Sequence, residues 1–115
     1  MKLKLGEWLQ IKANLEEMMS QDLDFSLMWD LSELYDELNI VAEKTANQLR
    51  NIAVQKFGAD STTFEIPKEN REEWLKAQSE FLAMEKGVDV PELKREQFEG
   101  MKSKYISKAF KKIIS

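Results

Sequence analysis

The chain has 115 residues, 43% hydrophobic and 33% charged, with a net charge of -4. That is the composition of one folded domain with a modest core, not of a disordered chain. It contains no Cys and no His, which removes disulfides, thiolate chemistry, the Ser-His-Asp arrangement and the commonest zinc ligand together.

Taken in chain order, Lys2-Leu3-Lys4-Leu5 alternates polar and apolar and predicts a short strand or extended arm, with Gly6 separating it from the first helix. Trp8, Ile11, Leu15 and Met18 repeat at three, four, three, so that helix is expected from about Glu7 to Met19. The polar break Ser20 to Asp24 then offers Asp24 or Ser26 as a cap for the next helix. From Ser26 to Phe57 the spacing predicts one long helix. Its stripe is Leu27, Leu31, Leu34, Leu38 and Val41, then Thr45, then Leu49 and Ile52. At ~1.5 Å per residue such a helix is ~48 Å long, more than so small a chain covers easily. Self-association through Leu27, Leu31, Leu34, Leu38, Val41, Leu49 and Ile52, in coiled-coil fashion, is therefore expected, giving a homo-oligomer. Gly58 is placed to end the helix.

Beyond Gly58, Thr63 to Ile66 alternates and predicts a short strand. Pro67 opens a third helix carrying Trp74, Ala77, Phe81 and Met84 and ending near Gly87. Val88 to Val90 is expected to pair antiparallel with Phe64 to Ile66. A last helix is predicted from about Glu92 to Ile114, with a break at Gly100. The fold expected is thus a single mainly α domain over residues 1–115. It is a bundle of about four helices on one long central helix, with a small two-stranded β element.

Charge is segregated along the chain. Nine acids and no base lie between Lys12 and Lys44, whereas five lysines and no acid follow Glu99. Such separation steers and orients partners more than it stabilises. Lys104, Lys108, Lys111 and Lys112, with Tyr105 and Phe110, are the candidate partner-binding residues, docking on acidic protein in the same chain or a neighbour. Few lysines and no arginine in that tail, on an acidic chain, argue against nucleic acid. Arg50 and Arg71 are candidate anion contacts. Trp29 sits off the leucine line and is expected to face a second surface.

No constellation predicts catalysis. Asp22, Asp24, Ser26, Met28, Asp30 and Glu33 have the spacing of a calcium loop, but Leu27 stands where that loop needs glycine and the segment is apolar. Asp30, Glu33 and Glu37 share a helical face, yet a di-iron bundle needs His. The glycines form no nucleotide-binding pattern. A non-enzymatic protein with no cofactor and no metal is expected. No apolar run approaches the ~20 residues of a membrane span, and MKLKLGEWLQ is unlike a secretory signal; an intracellular location is expected.

Arg50-Asn51 followed by Lys56-Phe57-Gly58, the Glu69 to Trp74 segment ENREEW and the phrase VDVPEL after Gly87 resemble a group of small bacteriophage proteins. The order of arm, long helix, strand, helix, strand and terminal helix is similar too. The resemblance covers nearly the whole chain but rests on structural motifs, so it carries over no catalytic residue. It implies a phage protein acting in the host cytoplasm. The strongly basic last segment departs from the group. The function expected is capture or sequestration of a host factor, either a host protein or a small signalling molecule, in an anti-defence role. Two alternatives stand beside it: a structural or assembly protein of the virion, and an accessory nucleic-acid binder using the basic C-terminal helix.

Overall fold

The computed structural model describes residues 1–115. Strand β1 (Lys2–Lys4) runs directly into helix α1 (Leu5–Met18), and α2 (Phe25–Phe57) comes after a short turn. Helix α3 (Arg71–Leu82), strand β2 (Glu85–Gly87) and the four-residue α4 (Lys108–Lys111) complete the regular elements. The fold is mainly α: four helices built on one long helix, with a two-stranded antiparallel sheet. At 33 residues α2 sets the longest dimension, 49 Å, against 24 and 23 Å across.

Local chemistry fixes the ends of α2. Asp24 caps its start, the carboxylate accepting the Leu27 N–H at 2.9 Å. At the other end Gly58 takes φ 69°, and the Gly58 and Ala59 N–H groups both turn back to the Ala53 carbonyl. The Asn70 amide then donates to the Phe57 carbonyl at 3.0 Å, satisfying another orphan acceptor. Asp24 as a cap, with Phe25 onward helical, means that the calcium-like spacing from Asp22 to Glu33 forms no loop.

The core is the seam between α1 and the first half of α2. Trp8, Ile11, Leu15 and Met18 on α1 meet Leu27, Leu31, Leu34 and Leu38 on α2, and all eight are buried. Leu93, Phe98, Phe110 and Ile113 of the C-terminal segment close it from the side, with Phe98 and Phe110 edge to face at 5.5 Å. The leucine stripe is therefore covered by its own chain over its first half. The second half is covered more thinly, by α3 and the segment leading into it, where Phe57 and Trp74 stack edge to face at 5.5 Å. No residue of α3 is fully buried.

Three expectations are corrected by the fold. The sheet pairs β1 with β2 in the register Lys2↔Gly87, Leu3↔Lys86, Lys4↔Glu85, not Phe64–Ile66 with Val88–Val90. Residues 64–66 form no strand because Asp60 takes the N–H groups of Thr62 and Thr63 at 2.7 and 2.9 Å. Phe64 then turns to φ 59°. The β1–β2 ribbon is held instead by the buried Trp8, whose indole N–H donates to the Lys86 carbonyl at 2.7 Å. The last segment is not one helix. It is two 3-10 turns, Arg95–Phe98 and Ser103–Tyr105, then α4 and a parallel bridge between Leu93 and Ile114. Gly100 at φ 81° breaks the run, and Ser107 restarts it as a cap, its hydroxyl accepting the Phe110 N–H. Finally, Gly6 lies inside α1. A Cβ there would sit 3.5 Å from the Leu82 carbonyl, in ordinary van der Waals contact, so α1 packs on the end of α3 at this point without requiring glycine.

Candidate functional site

The expected contact residues divide sharply once folded. Leu27, Leu31, Leu34 and Leu38 lie in the core and present no surface to a second chain, which corrects their assignment to self-association. Val41, Leu49 and Ile52 are half-buried on the second half of the same helix. Phe110 is likewise core, fully buried against Phe98, so it leaves the partner-binding set. Tyr105 is half-buried against the core, with Lys104 over its ring at 5.0 Å. Lys112 reaches Glu7 on α1 rather than the acidic stretch between Lys12 and Lys44. Lys104, Lys108 and Lys111 are exposed and unpaired. Arg50 lies beside the Phe64 ring at 5.7 Å and donates to Asn47 at 3.2 Å, whereas Arg71 lines a separate shallow pocket with Trp74. The structure does not bring the two arginines into one site.

What the fold leaves uncovered is the outer face of α2. Phe25 is 95% exposed, Trp29 67% and Ile40 69%. Phe25 and Trp29 are one turn apart, and Ile40 returns to the same side three turns later, so the line is ~22 Å long at ~1.5 Å per residue. The Trp29 indole N–H donates to the Glu33 carboxylate at 2.9 Å, which holds the ring in one orientation against solvent. Between Trp29 and Ile40 the exposed Glu33 and Asp36 occupy this line, with Glu37 beside it, and no base interrupts it before Lys44. The result is a strip that begins with two aromatics and continues as an acidic stretch up to Ile40. Trp29 was legible in the sequence from its place off the leucine line. Phe25 was missed, although its position one turn before Trp29 was the available signal.

Comparison with protein-family models, with curated proteins and with solved structures returned no match. The functional reading therefore rests on the geometry.

Next to the strip lies a cleft of about 400 Å³ between the start of α1, the middle of α2, the end of α3 and β2. Its walls are mostly apolar. Two lysines, Lys44 and Lys86, stand at it. The chain's two ion pairs are Lys12–Glu16 and Lys112–Glu7, so neither cleft lysine is neutralised. The Thr45 hydroxyl is spent internally on the Val41 carbonyl at 2.7 Å, as a buried helical Thr commonly does.

Perturbed carboxyls lie away from both features. Glu7 is held below the usual carboxylate range by the Lys112 ammonium and then by the Lys4 N–H. Glu16 is lowered by Lys12 and by the Tyr35 hydroxyl, and Lys12 is raised in return. Asp60 is lowered by the Thr63 and Thr62 N–H groups. Each shift arises from a contact within the fold: the Lys112 ammonium and the Lys4 N–H on Glu7, the Lys12–Glu16–Tyr35 contacts between α1 and α2, or the Asp60 turn. None lies in a pocket with a nucleophile.

Proposed function

We propose that the chain is a non-enzymatic interaction protein of the phage type it resembles, and that it captures a host protein through the aromatic strip of α2. The observation that carries the reading is the pair Phe25 and Trp29, exposed one turn apart on a helix whose opposite side is fully packed. Large aromatics left in water on a rigid element are the composition of binding hot spots. Tryptophan in particular anchors such contacts, and here Glu33 already holds its orientation, which lowers the ordering cost on binding.

The acidic stretch specifies the partner's chemistry. Glu33, Asp36 and Glu37, following two exposed aromatics on the same helix face, fit a basic amphipathic helix, which would lay apolar residues on Phe25 and Trp29 and lysines along the acids. The charge would mainly speed encounter, and the aromatics would hold the complex.

A model peptide tests this. A Lys/Leu amphipathic helix should shift the Trp29 emission and bind the chain in a salt-dependent way, and its Glu/Leu counterpart should not. Phe25→Ser with Trp29→Ser should lower the affinity more than about tenfold, as expected of hot-spot aromatics. Affinity unchanged in that double variant, by calorimetry, would refute the reading.

A further inference from the structure

The cleft beside the strip has a chemistry of its own. Leu5 lines it from α1, Ile40 and Val41 from α2, Phe81 from the end of α3 and Met84 from the α3–β2 connection. At about 400 Å³ it falls in the ~300–1,000 Å³ range of small-molecule sites. No carboxylate lines it. Its charged groups are Lys44 and Lys86, on different elements, and neither is paired. An apolar trough with two free cations and no anion is complementary to a molecule with an apolar body and one negative head.

The walls supplied by β2, the start of α1 and the middle of α2 are firmly set. Lys86 is the central residue of β2, paired with Leu3, and its carbonyl accepts the Trp8 indole N–H. Leu5 is tied to the same wall by donating its N–H to the Met84 carbonyl at 2.9 Å. Lys44 lies in the middle of α2. On these fixed backbones the flexible lysine stems can adjust to a ligand.

We propose that this cleft binds a small carboxylated amphiphile, its apolar body on Leu5, Val41, Phe81 and Met84 and its carboxylate between Lys44 and Lys86. A carboxylate suits the site better than a phosphate. No arginine fork lines the cleft, and two ammonium groups on different elements offer point charges to a single small anion. The cleft shares Ile40 with the α2 face described above but not Phe25 or Trp29, so it does not depend on that reading.

The test uses the full chain and decanoate below its micelle-forming concentration. Decanoate should bind saturably, one per chain, and shift the amide resonances of Val41, Lys44, Phe81 and Met84. 1-Decanol and decyltrimethylammonium should bind at least about fivefold more weakly, the loss expected when a part-exposed charge contact is removed. Lys44→Met with Lys86→Met keeps the apolar stems and should abolish the preference for decanoate over decanol. Both lysines carry their charge at the surface, so circular dichroism should be unchanged. Met84→Trp should block the cleft and reduce all three ligands. Phe25→Ser with Trp29→Ser should bind decanoate as the parent does, which separates this site from the strip. Equal affinity for decanoate and decanol would overturn the proposal. So would a Lys-to-Met double variant that binds like the parent, or resonance shifts confined to Phe25–Trp29.

Discussion

Leu31→Ala distinguishes a stripe buried by its own chain from one buried by a second copy. Leu31 is completely inaccessible, packed in the seam where α1 lies on α2. Removing its three outer carbons loses their transfer free energy and leaves a cavity that α1, held by Trp8 and Ile11 on the same side, closes only in part. A cost of about 3 kcal/mol is expected. Unfolding entropy of ~2.1 cal/mol/K per residue gives about 0.24 kcal/mol/K for a chain of this length, so Tm should fall by ~12 °C. Phe25→Ala, at 95% exposure, should move Tm by less than about 2 °C, since exposed substitutions fall within roughly 0.5 kcal/mol. Differential scanning calorimetry at two protein concentrations a hundredfold apart decides the matter. The Leu31→Ala loss should be the same at both, because the covering helix belongs to the same molecule. A Tm that rises with concentration in the parent and not in Leu31→Ala would refute the reasoning, since mass action then contributes to the burial.

Other outcomes depend on single contacts. The buried Asn14 accepts the Ser107 hydroxyl at 2.6 Å, and Ser107 in turn caps α4; Asn14→Leu or Ser107→Ala should cost ~1–2 kcal/mol in urea unfolding, by loss of the partner and of the cap. Gly58→Ala should cost about 1 kcal/mol, because alanine is strained at φ 69°. Glu7→Gln should lower stability at neutral pH by roughly 0.5 kcal/mol, discounted because Lys112 is more than half exposed. The folded-state pKa of Glu7 is depressed, so its stabilisation is present above the unfolded carboxylate pKa and lost as pH falls through the folded value. The gap between parent and Glu7→Gln should therefore close as pH drops below the usual carboxylate range. A gap that persists at low pH would assign the effect to packing instead.

The elements legible in the sequence are those whose causes are local. The Leu27 to Leu38 stripe, the Asp24 cap and the Gly58 stop together defined α2 almost to the residue, because three-four periodicity and end chemistry act within a few positions. The β1–β2 pairing was not legible. Glu85-Lys86-Gly87 has little strand propensity, and its pairing with residues more than eighty positions away depends on a tryptophan that periodicity marks only as core. The last segment misled because Ala109, Phe110 and Ile113 have helical spacing, yet Ser107 restarts the chain after Gly100 has turned it. Trp29 was visible as an outlier from the leucine line. The cleft was not, since Leu5, Lys44, Phe81 and Lys86 become neighbours only through tertiary packing.

The unequal covering of α2 has a dynamic consequence. Its first half is locked on several sides, whereas its last turns are backed by α3, which buries no residue fully. Amide exchange should therefore proceed from that end, with α3 and the final turns of α2 opening as one unit well below the global unfolding free energy. Because Phe81 forms a wall of the cleft, each such opening widens it. Guest molecules would then enter and leave on the clock of a peripheral helix breathing, while the tryptophan-anchored heart of the molecule stays shut.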